Sequence, residues 1–139
     1  MSPQSRRTAG ILLVVLPTVI FGGVSILSLL LSPQSRYMNN PLRQDLWRAG
    51  HAHAGVFLIL SLVALRYVDE AILSDKTKNL VRWSLPSAAI LLPVAFFLSV
   101  LSPDATRPNG LIYLAYVGAI ILATGLITLG VGLLRKANI

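Results

Sequence analysis

The sequence contains no cysteine and few charged residues. The absence of cysteine excludes disulfides, thiolate metal sites and iron–sulfur ligation by this chain. Charged residues make up 12% of the 139 residues, which is about half the share that soluble domains carry. Apolar residues make up 55% of the chain, and its mean hydropathy is +0.73. We therefore expect one integral membrane domain over residues 1–139, with no stretch left for a soluble catalytic domain.

Acidic residues are especially scarce, with five in the chain and none in the middle of an apolar stretch. This distribution argues against a proton-driven pump or a cation transporter, because such proteins place carboxylates at membrane depth. A hydrolase site is disfavoured as well, because no carboxylate at that depth could orient a histidine. The net charge of +7 suits acidic lipid head groups better than nucleic acid, since no basic cluster is interleaved with aromatic residues.

Four apolar stretches predict four transmembrane helices, over about 8–32, 41–73, 75–101 and 109–135. Each stretch approaches or exceeds the ~20 residues that a helix needs to cross the hydrocarbon core. The first is too long to be the apolar region of a signal peptide, which spans ~7–15 residues. We expect an all-α, integral membrane four-helix bundle with an antiparallel, up-down-up-down arrangement.

The basic residues predict the orientation of this bundle. Eight of them lie at the N-terminus, in the second connection and at the C-terminus: Arg6, Arg7, Arg66, Lys76, Lys78, Arg82, Arg135 and Lys136. The first and third connections contain the other four: Arg36, Arg43, Arg48 and Arg107. Because cytoplasmic loops carry an excess of Lys and Arg, both termini are expected to be cytoplasmic. A bacterial inner membrane fits this pattern.

Local patterns predict several helix ends. Asn40 followed by Pro41 is typical of a helix N-cap and first turn, and Ser74 or Asp75 can cap the third helix. Tyr37 and Trp47 suit an aromatic belt at the outer interface. Arg66 and Glu70 are four residues apart and can pair on the surface of the second helix.

Prolines occur inside two predicted helices, at Pro17 in the first and at Pro86 and Pro93 in the third. Proline bends a membrane helix and frees backbone carbonyls for other partners. Helix packing is the simpler interpretation of these residues. The alternative is that the bent first and third helices open a cavity between them.

The fourth helix carries a glycine stripe, in which Gly118, Gly125 and Gly132 recur every seven residues. Small residues on one helix face let a second helix approach closely. We expect the stripe to pack within the chain, and packing between chains remains open. The bundle is expected to form a homo-oligomer or to join a larger membrane complex.

The two histidines, His51 and His53, are the strongest candidates for chemistry. They lie in residues 49–55, which read AGHAHAG. If the second span is centred near Phe57, His51 lies about 9 Å and His53 about 6 Å from the bilayer centre, at ~1.5 Å per residue. An ionisable side chain at that depth indicates a candidate functional site. Each neutral ring has one donor and one acceptor that need partners.

The spacing of the histidines separates them. Residues two apart on a helix point roughly 200° apart, so His51 and His53 cannot easily chelate one metal ion. They are expected to meet two environments, on opposite sides of the helix. The small residues around them leave room for a flat group or another helix. Possible partners for the rings are Tyr113, Tyr116 and Met38, and a structural hydrogen bond to a tyrosine is the simplest alternative to a cofactor.

The His-x-His pattern in a membrane helix resembles subunit I of the haem-copper oxidases and nitric oxide reductases. That resemblance implies that His51 and His53 are axial ligands of different haems, on opposite faces of the helix. The chain lacks the additional copper-ligating histidines of that family, so oxygen reduction is not expected. A bound haem, or a copper ion shared between subunits, is the cofactor that the resemblance implies.

Three functions follow as hypotheses. The preferred one is a small membrane protein that binds haem or a metal ion through His51 and His53, for redox chemistry or sensing. The second is an accessory or structural subunit that assembles through the glycine stripe. The third is a small channel or carrier, with a path between the bent first and third helices. No catalytic residue is identified, and whether the protein is an enzyme is left open.

Overall fold

The computed structural model describes residues 1–135, in which helices and turns occur but no strand. The helices are α1 (Pro3–Val15), α2 (Pro17–Leu31), α3 (Pro41–Val68), α4 (Asp75–Ser99) and α5 (Leu114–Leu134). Four helical segments are long and apolar enough to cross a membrane: α1 with α2, α3, α4, and α5 with the turn before it. The expected all-helical fold with four candidate membrane spans is therefore confirmed. Lys136, which contributes to the charge bias, lies outside the described residues.

The first span is one helical segment, Pro3–Leu31, made of α1 and α2. Leu16, between them, keeps helical backbone angles, and its N–H donates to the carbonyl of Leu12 at 2.9 Å. α2 begins at Pro17, which has no N–H to continue the ladder of backbone hydrogen bonds. The span begins at Pro3 rather than at residue 8, because the hydroxyl of Ser2 caps it by accepting from the N–H of Ser5 at 3.2 Å.

The second span, α3, begins where the sequence predicts. The side chain of Asn40 accepts a hydrogen bond from the N–H of Arg43 at 3.1 Å, and Pro41 follows in the first turn. The helix ends at Val68 rather than at residue 73. The chain leaves the helix there and crosses towards α5, where the N–H of Ile72 donates to the carbonyl of Gly132 at 2.9 Å.

The third and fourth spans also differ slightly from their predicted bounds. Ser74 caps α4, and its hydroxyl accepts from the N–H of Thr77 at 3.3 Å. α4 remains one helix through Pro86 and Pro93. The fourth span starts as a 3₁₀ turn over Gly110–Tyr113 before α5 begins.

α3 and α4 form the centre of the bundle and run antiparallel. At one end, the indole N–H of Trp47 donates to the carbonyl of Phe97 at 3.1 Å. At the other end, Asp69 pairs with Arg82 at 2.8 Å. The core between them includes Leu65 and Leu85, which are 2% and 1% exposed.

The glycine stripe of α5 packs within the chain, against α4 and the connection before it. A Cβ added at Gly118 would collide with Leu92, and one at Gly125 would collide with the hydroxyl of Ser84. A Cβ at Gly132 would lie 2.6 Å from Cγ of Leu73. Because this chain's own residues cover the stripe, it is not an outer surface through which copies could assemble.

Candidate ligand site at the histidine helix

His51 and His53 point to opposite sides of α3, as their spacing predicts. The ring of His51 lies against α2, in a notch formed by Gly22 and Gly23. A Cβ at Gly23 would lie 3.1 Å from both Cε1 and Nε2 of this ring, and one at Gly22 would lie 3.6 Å from Nδ1. The two glycines therefore allow the imidazole to approach the α2 backbone closely.

His53 lies on the other side, against α4. Its Nδ1 is 2.6 Å from the carbonyl oxygen of Ala49. Because a carbonyl can only accept, the Nδ1–H is the donor, and the lone pair lies on Nε2. The rings of Phe57 and Phe96 flank the imidazole, each with its centroid 5.3 Å away. The tautomer of His53 is thus set by its own helix.

An apolar crevice of about 230 Å³ opens beside His51, between α2, α3 and α4. We call it the His51 crevice; its walls include Thr18, Gly22, Ile90, Pro93 and Phe97. The hydroxyl of Thr18 donates to the carbonyl of Val15 at 2.7 Å. His51 is the one ionisable side chain on the wall. Within residues 1–135, the one hydrogen bond made by a histidine ring belongs to His53, so the ring nitrogens of His51 have no hydrogen-bond partner in this part of the chain.

The predicted tyrosine partners do not meet the histidines. Tyr113 and Tyr116 stack on each other at 6.2 Å between ring centroids, and they are 68% and 67% exposed. The prediction of a histidine–tyrosine hydrogen bond is therefore wrong. The physical reason is that the glycine stripe packs against α4. The two tyrosines lie away from that contact and are exposed. Met38, the other possible partner, is 59% exposed in the first connection.

The two histidines differ as possible ligands. In residues 1–135, no group of three or more His, Cys, Asp or Glu is placed to hold a metal ion. Nε2 of His51 faces the backbone of Gly23, so a macrocycle does not fit over that nitrogen while α2 stays in place. His53 has the arrangement that metal-bound histidines usually show, with one ring nitrogen donating to a backbone carbonyl and the other free.

A buried polar cluster joins α1 to the central helices, and sequence analysis missed it. We call the cluster of Ser2, Ser5, Asp69 and Arg82 the polar clasp. Asp69 accepts from the N–H of Ser2 at 2.6 Å, from the hydroxyl of Ser5 at 3.0 Å and from Arg82 at 2.8 Å. Arg82 also donates to Ser5 through Nε at 2.9 Å. Arg82 lies inside the third apolar stretch, and a charged residue there needs hydrogen-bonding partners. This was the one sequence signal that could have indicated the cluster.

The polar clasp sets the protonation of Asp69. Burial of the carboxyl raises its pKa, but the hydrogen bonds from Ser2, Arg82 and Ser5 outweigh burial and hold the pKa well below the ordinary value. The side chains of Arg82 and Asp69 are 8% and 17% exposed. The pair is thus charged and held by several hydrogen bonds, and we interpret it as structural.

The opposite end of the bundle is closed by aromatic residues around Arg43. The guanidinium lies 4.5 Å from the ring centroid of Trp47, and its Nε donates to the carbonyl of Val100 at 3.2 Å. Tyr37 is fully buried beside this Trp47 ring, at 5.8 Å between centroids. Burial raises the pKa of the Tyr37 phenol, although the nearby Arg48 and Arg43 oppose the shift.

No protein family model, curated protein or solved structure matches the chain. The function must therefore be argued from the geometry of its own residues.

Proposed function

We propose that this membrane protein binds a lipid-soluble ligand in the His51 crevice and uses it for redox chemistry or sensing. The observation that supports the proposal is a histidine ring at membrane depth, without a hydrogen-bond partner among the described residues, on the wall of an apolar crevice of about 230 Å³. His51 is half-buried, and a polar ring among apolar side chains is stabilised by a hydrogen-bond partner, which a ligand in the crevice supplies.

The walls define the chemical class of this ligand. A neutral imidazole offers one N–H donor and one acceptor, and the rest of the wall is almost entirely apolar. Ligand pockets usually measure about 300–1,000 Å³, so the crevice holds one ring-sized head group. Ile90, 61% exposed, lies at its edge, where an apolar tail can leave towards lipid. A quinone, with a carbonyl on a planar apolar ring, has these properties.

The experiment uses the full-length protein in lipid nanodiscs and a short-chain ubiquinone, decylubiquinone, as the probe. Binding is measured from the quinone that is retained after gel filtration and then extracted. We expect His51→Leu to weaken binding by about tenfold or more, the effect of losing one hydrogen bond in an apolar site. His51→Gln, which keeps a donor and an acceptor, should retain part of the affinity.

The matched control is His53→Leu, on the opposite side of the same helix, which should bind decylubiquinone like the wild type. Thermal unfolding of each variant shows whether the fold is kept. Equal binding by folded His51→Leu and wild-type protein would reject the proposal.

A haem or copper site at His53 is the second candidate function. It is favoured by the Nδ1–H bond to Ala49, which leaves Nε2 free for a metal. A haem or copper ion bound there would supply one-electron chemistry. An absorption spectrum with metal analysis of the purified protein tests this candidate. A Soret band that His53→Ala removes and His51→Ala leaves would support it, and colourless, metal-free folded protein would reject it.

We further propose that both termini face the cytoplasm of a bacterial cell, because Lys and Arg concentrate at that end. The absence of cysteine makes a direct test simple. In intact cells, Gln34→Cys and Thr106→Cys should react with a membrane-impermeant maleimide. Lys76→Cys should react only after lysis, and the reverse pattern would contradict this orientation.

A further inference from the structure

A second cavity lies between the first turns of α1 and α4, at the end of the bundle with more basic residues. Its volume is about 300 Å³. We call it the α1–α4 groove, and it is lined by Gln4, Arg7, Thr8, Ile11, Asn79 and Trp83. The functions discussed above do not involve it.

One side of the groove is polar and positively charged. Arg7 forms no ion pair within residues 1–135, and two of the three acids at this end of the bundle pair with other arginines, Asp75 being the third. Asp69 is held by Arg82 and Glu70 by Arg66. Gln4 and Asn79 add side-chain amides, which can donate hydrogen bonds to an anionic group. The charge at this side therefore has no partner in the described part of the chain.

The other side of the groove is apolar and lies on the lipid-facing surface. Ile11 is 44% exposed and Trp83 is 50% exposed. Tryptophan with this exposure on a membrane helix is typical of the interface between head groups and acyl chains. The groove thus changes from basic to apolar in the direction that leads into the bilayer, which matches the order of chemical groups in a phospholipid.

The apolar side of the groove continues along α1 and α4 towards the centre of the bundle. Ile11 and Val15 lie on one face of the first span, since they are four residues apart. Trp83 and Ile90 are seven residues apart on one face of α4, a distance of about 10 Å. Val15 and Ile90 also line the His51 crevice. An acyl chain that starts in the groove therefore has an apolar surface to follow.

We propose that the α1–α4 groove binds one anionic phospholipid. The guanidinium of Arg7 holds its phosphate, the amides of Gln4 and Asn79 donate to the head group, and one acyl chain packs on Ile11 and Trp83. A guanidinium suits this role because its fork of N–H donors matches the oxygens of a phosphate. This proposal is independent of the ligand at His51.

The experiment places the full-length protein in phosphatidylcholine nanodiscs that contain phosphatidylglycerol as a minor component. Lipids retained by the protein after release into mild detergent are counted by native mass spectrometry. Wild-type protein should retain one phosphatidylglycerol. Arg7→Gln should lower this occupancy by about tenfold, the effect of losing a charge-assisted hydrogen bond, and Trp83→Ala should lower it less.

The matched control is Arg6→Gln, which removes the same charge from the adjacent residue, outside the groove lining. It should retain phosphatidylglycerol like the wild type. Loss of the lipid in both arginine variants, or in neither, would reject a specific site. A second arm adds inorganic phosphate. If phosphate alone displaces the lipid at millimolar concentration, the groove recognises a free anion and the lipid proposal is wrong.

Discussion

The two halves of the bundle are held together in different ways. α3, α4 and α5 pack closely, and 50% of the residues in the apolar window of α4 are buried. For the first span, made of α1 and α2, the share is 11%. This span is attached by the polar clasp near one end, by Leu12, which is 5% exposed in the core, and by the fit of His51 into the Gly22–Gly23 notch. Close apolar packing therefore stabilises one half, and a few specific contacts position the other.

This difference also separates the two proposed ligand sites from the α4–α5 interface. The His51 crevice and the α1–α4 groove both lie where the first span meets α4. Around Gly118 and Gly125, glycines bring α4 and α5 so close that side chains of α4 occupy the space. A cavity of about 400 Å³ lies at the end of that interface, beside Thr77 and Val131.

The largest effect is expected from breaking the polar clasp. Arg82→Met leaves the Asp69 carboxylate buried without its cation, which costs about 3–5 kcal/mol for a buried pair. The free energy of unfolding in mixed detergent measures this loss. Arg66→Met, which breaks the exposed pair with Glu70, should cost about 0–1 kcal/mol. If the two variants lose the same stability, the clasp does not hold the first span.

A smaller loss is expected in the tightly packed half. Gly125→Leu places a side chain where Ser84 and Leu85 already lie, and overpacking of this kind costs about 1–3 kcal/mol. Gly130→Leu is the control on the same helix, because no atom lies within 4 Å of a Cβ at Gly130. Thermal unfolding in detergent should separate the two variants. Equal melting temperatures would show that the α4–α5 contact tolerates expansion.

The notch in α2 tests the loosely packed half. Gly23→Ala puts a Cβ 3.1 Å from the ring of His51, whereas Gly10→Ala meets nothing within 4 Å. Alanine in a helix normally stabilises by roughly 0.5–1 kcal/mol over glycine. We expect Gly10→Ala to show this gain and Gly23→Ala to be about 1 kcal/mol less stable than Gly10→Ala, as strain from the close contact opposes the gain. If both variants gain the same stability, the contact between α2 and the ring of His51 is not close enough to cause strain.

The smallest effect is a loss of stability in acid. Because the pKa of Asp69 in the folded protein lies below its ordinary value of 3.8, its contribution is complete above that value and is lost as the pH falls below it. The loss should reach about half a kcal/mol by pH 3.5. In Asp69→Asn this part of the pH dependence should disappear. An unchanged pH profile in that variant would assign the acid sensitivity to other carboxyls.

The number of spans and several helix starts could be predicted from the sequence. The length of the apolar stretches determines the number of spans, and capping by Asn40 and Ser74 determines where two of the helices begin. The separation of His51 and His53 followed from helix geometry alone. These features depend on residues close together in the chain, or on one helix at a time.

The packing of the glycine stripe within the chain was predicted, but two other features that depend on how helices pair were not. The prediction that Tyr113 and Tyr116 face the histidines was wrong, because depth in the bilayer is readable from sequence but rotation about a helix axis is not. The polar clasp was missed for a similar reason. Its serines and charges are separated by up to 80 residues, and only the packed helices bring them together.

The polar clasp also has a consequence for biosynthesis. α1 precedes its partners in the chain, and the contacts of Ser2 with Asp69 and of Ser5 with Arg82 span 67 and 77 residues. When the first span enters the membrane, neither Asp69 nor Arg82 has yet been inserted. The first span must therefore wait, exposed to lipid on all sides, until the α3–α4 hairpin is complete. The first segment to be made therefore completes its contacts only after α4 has been inserted.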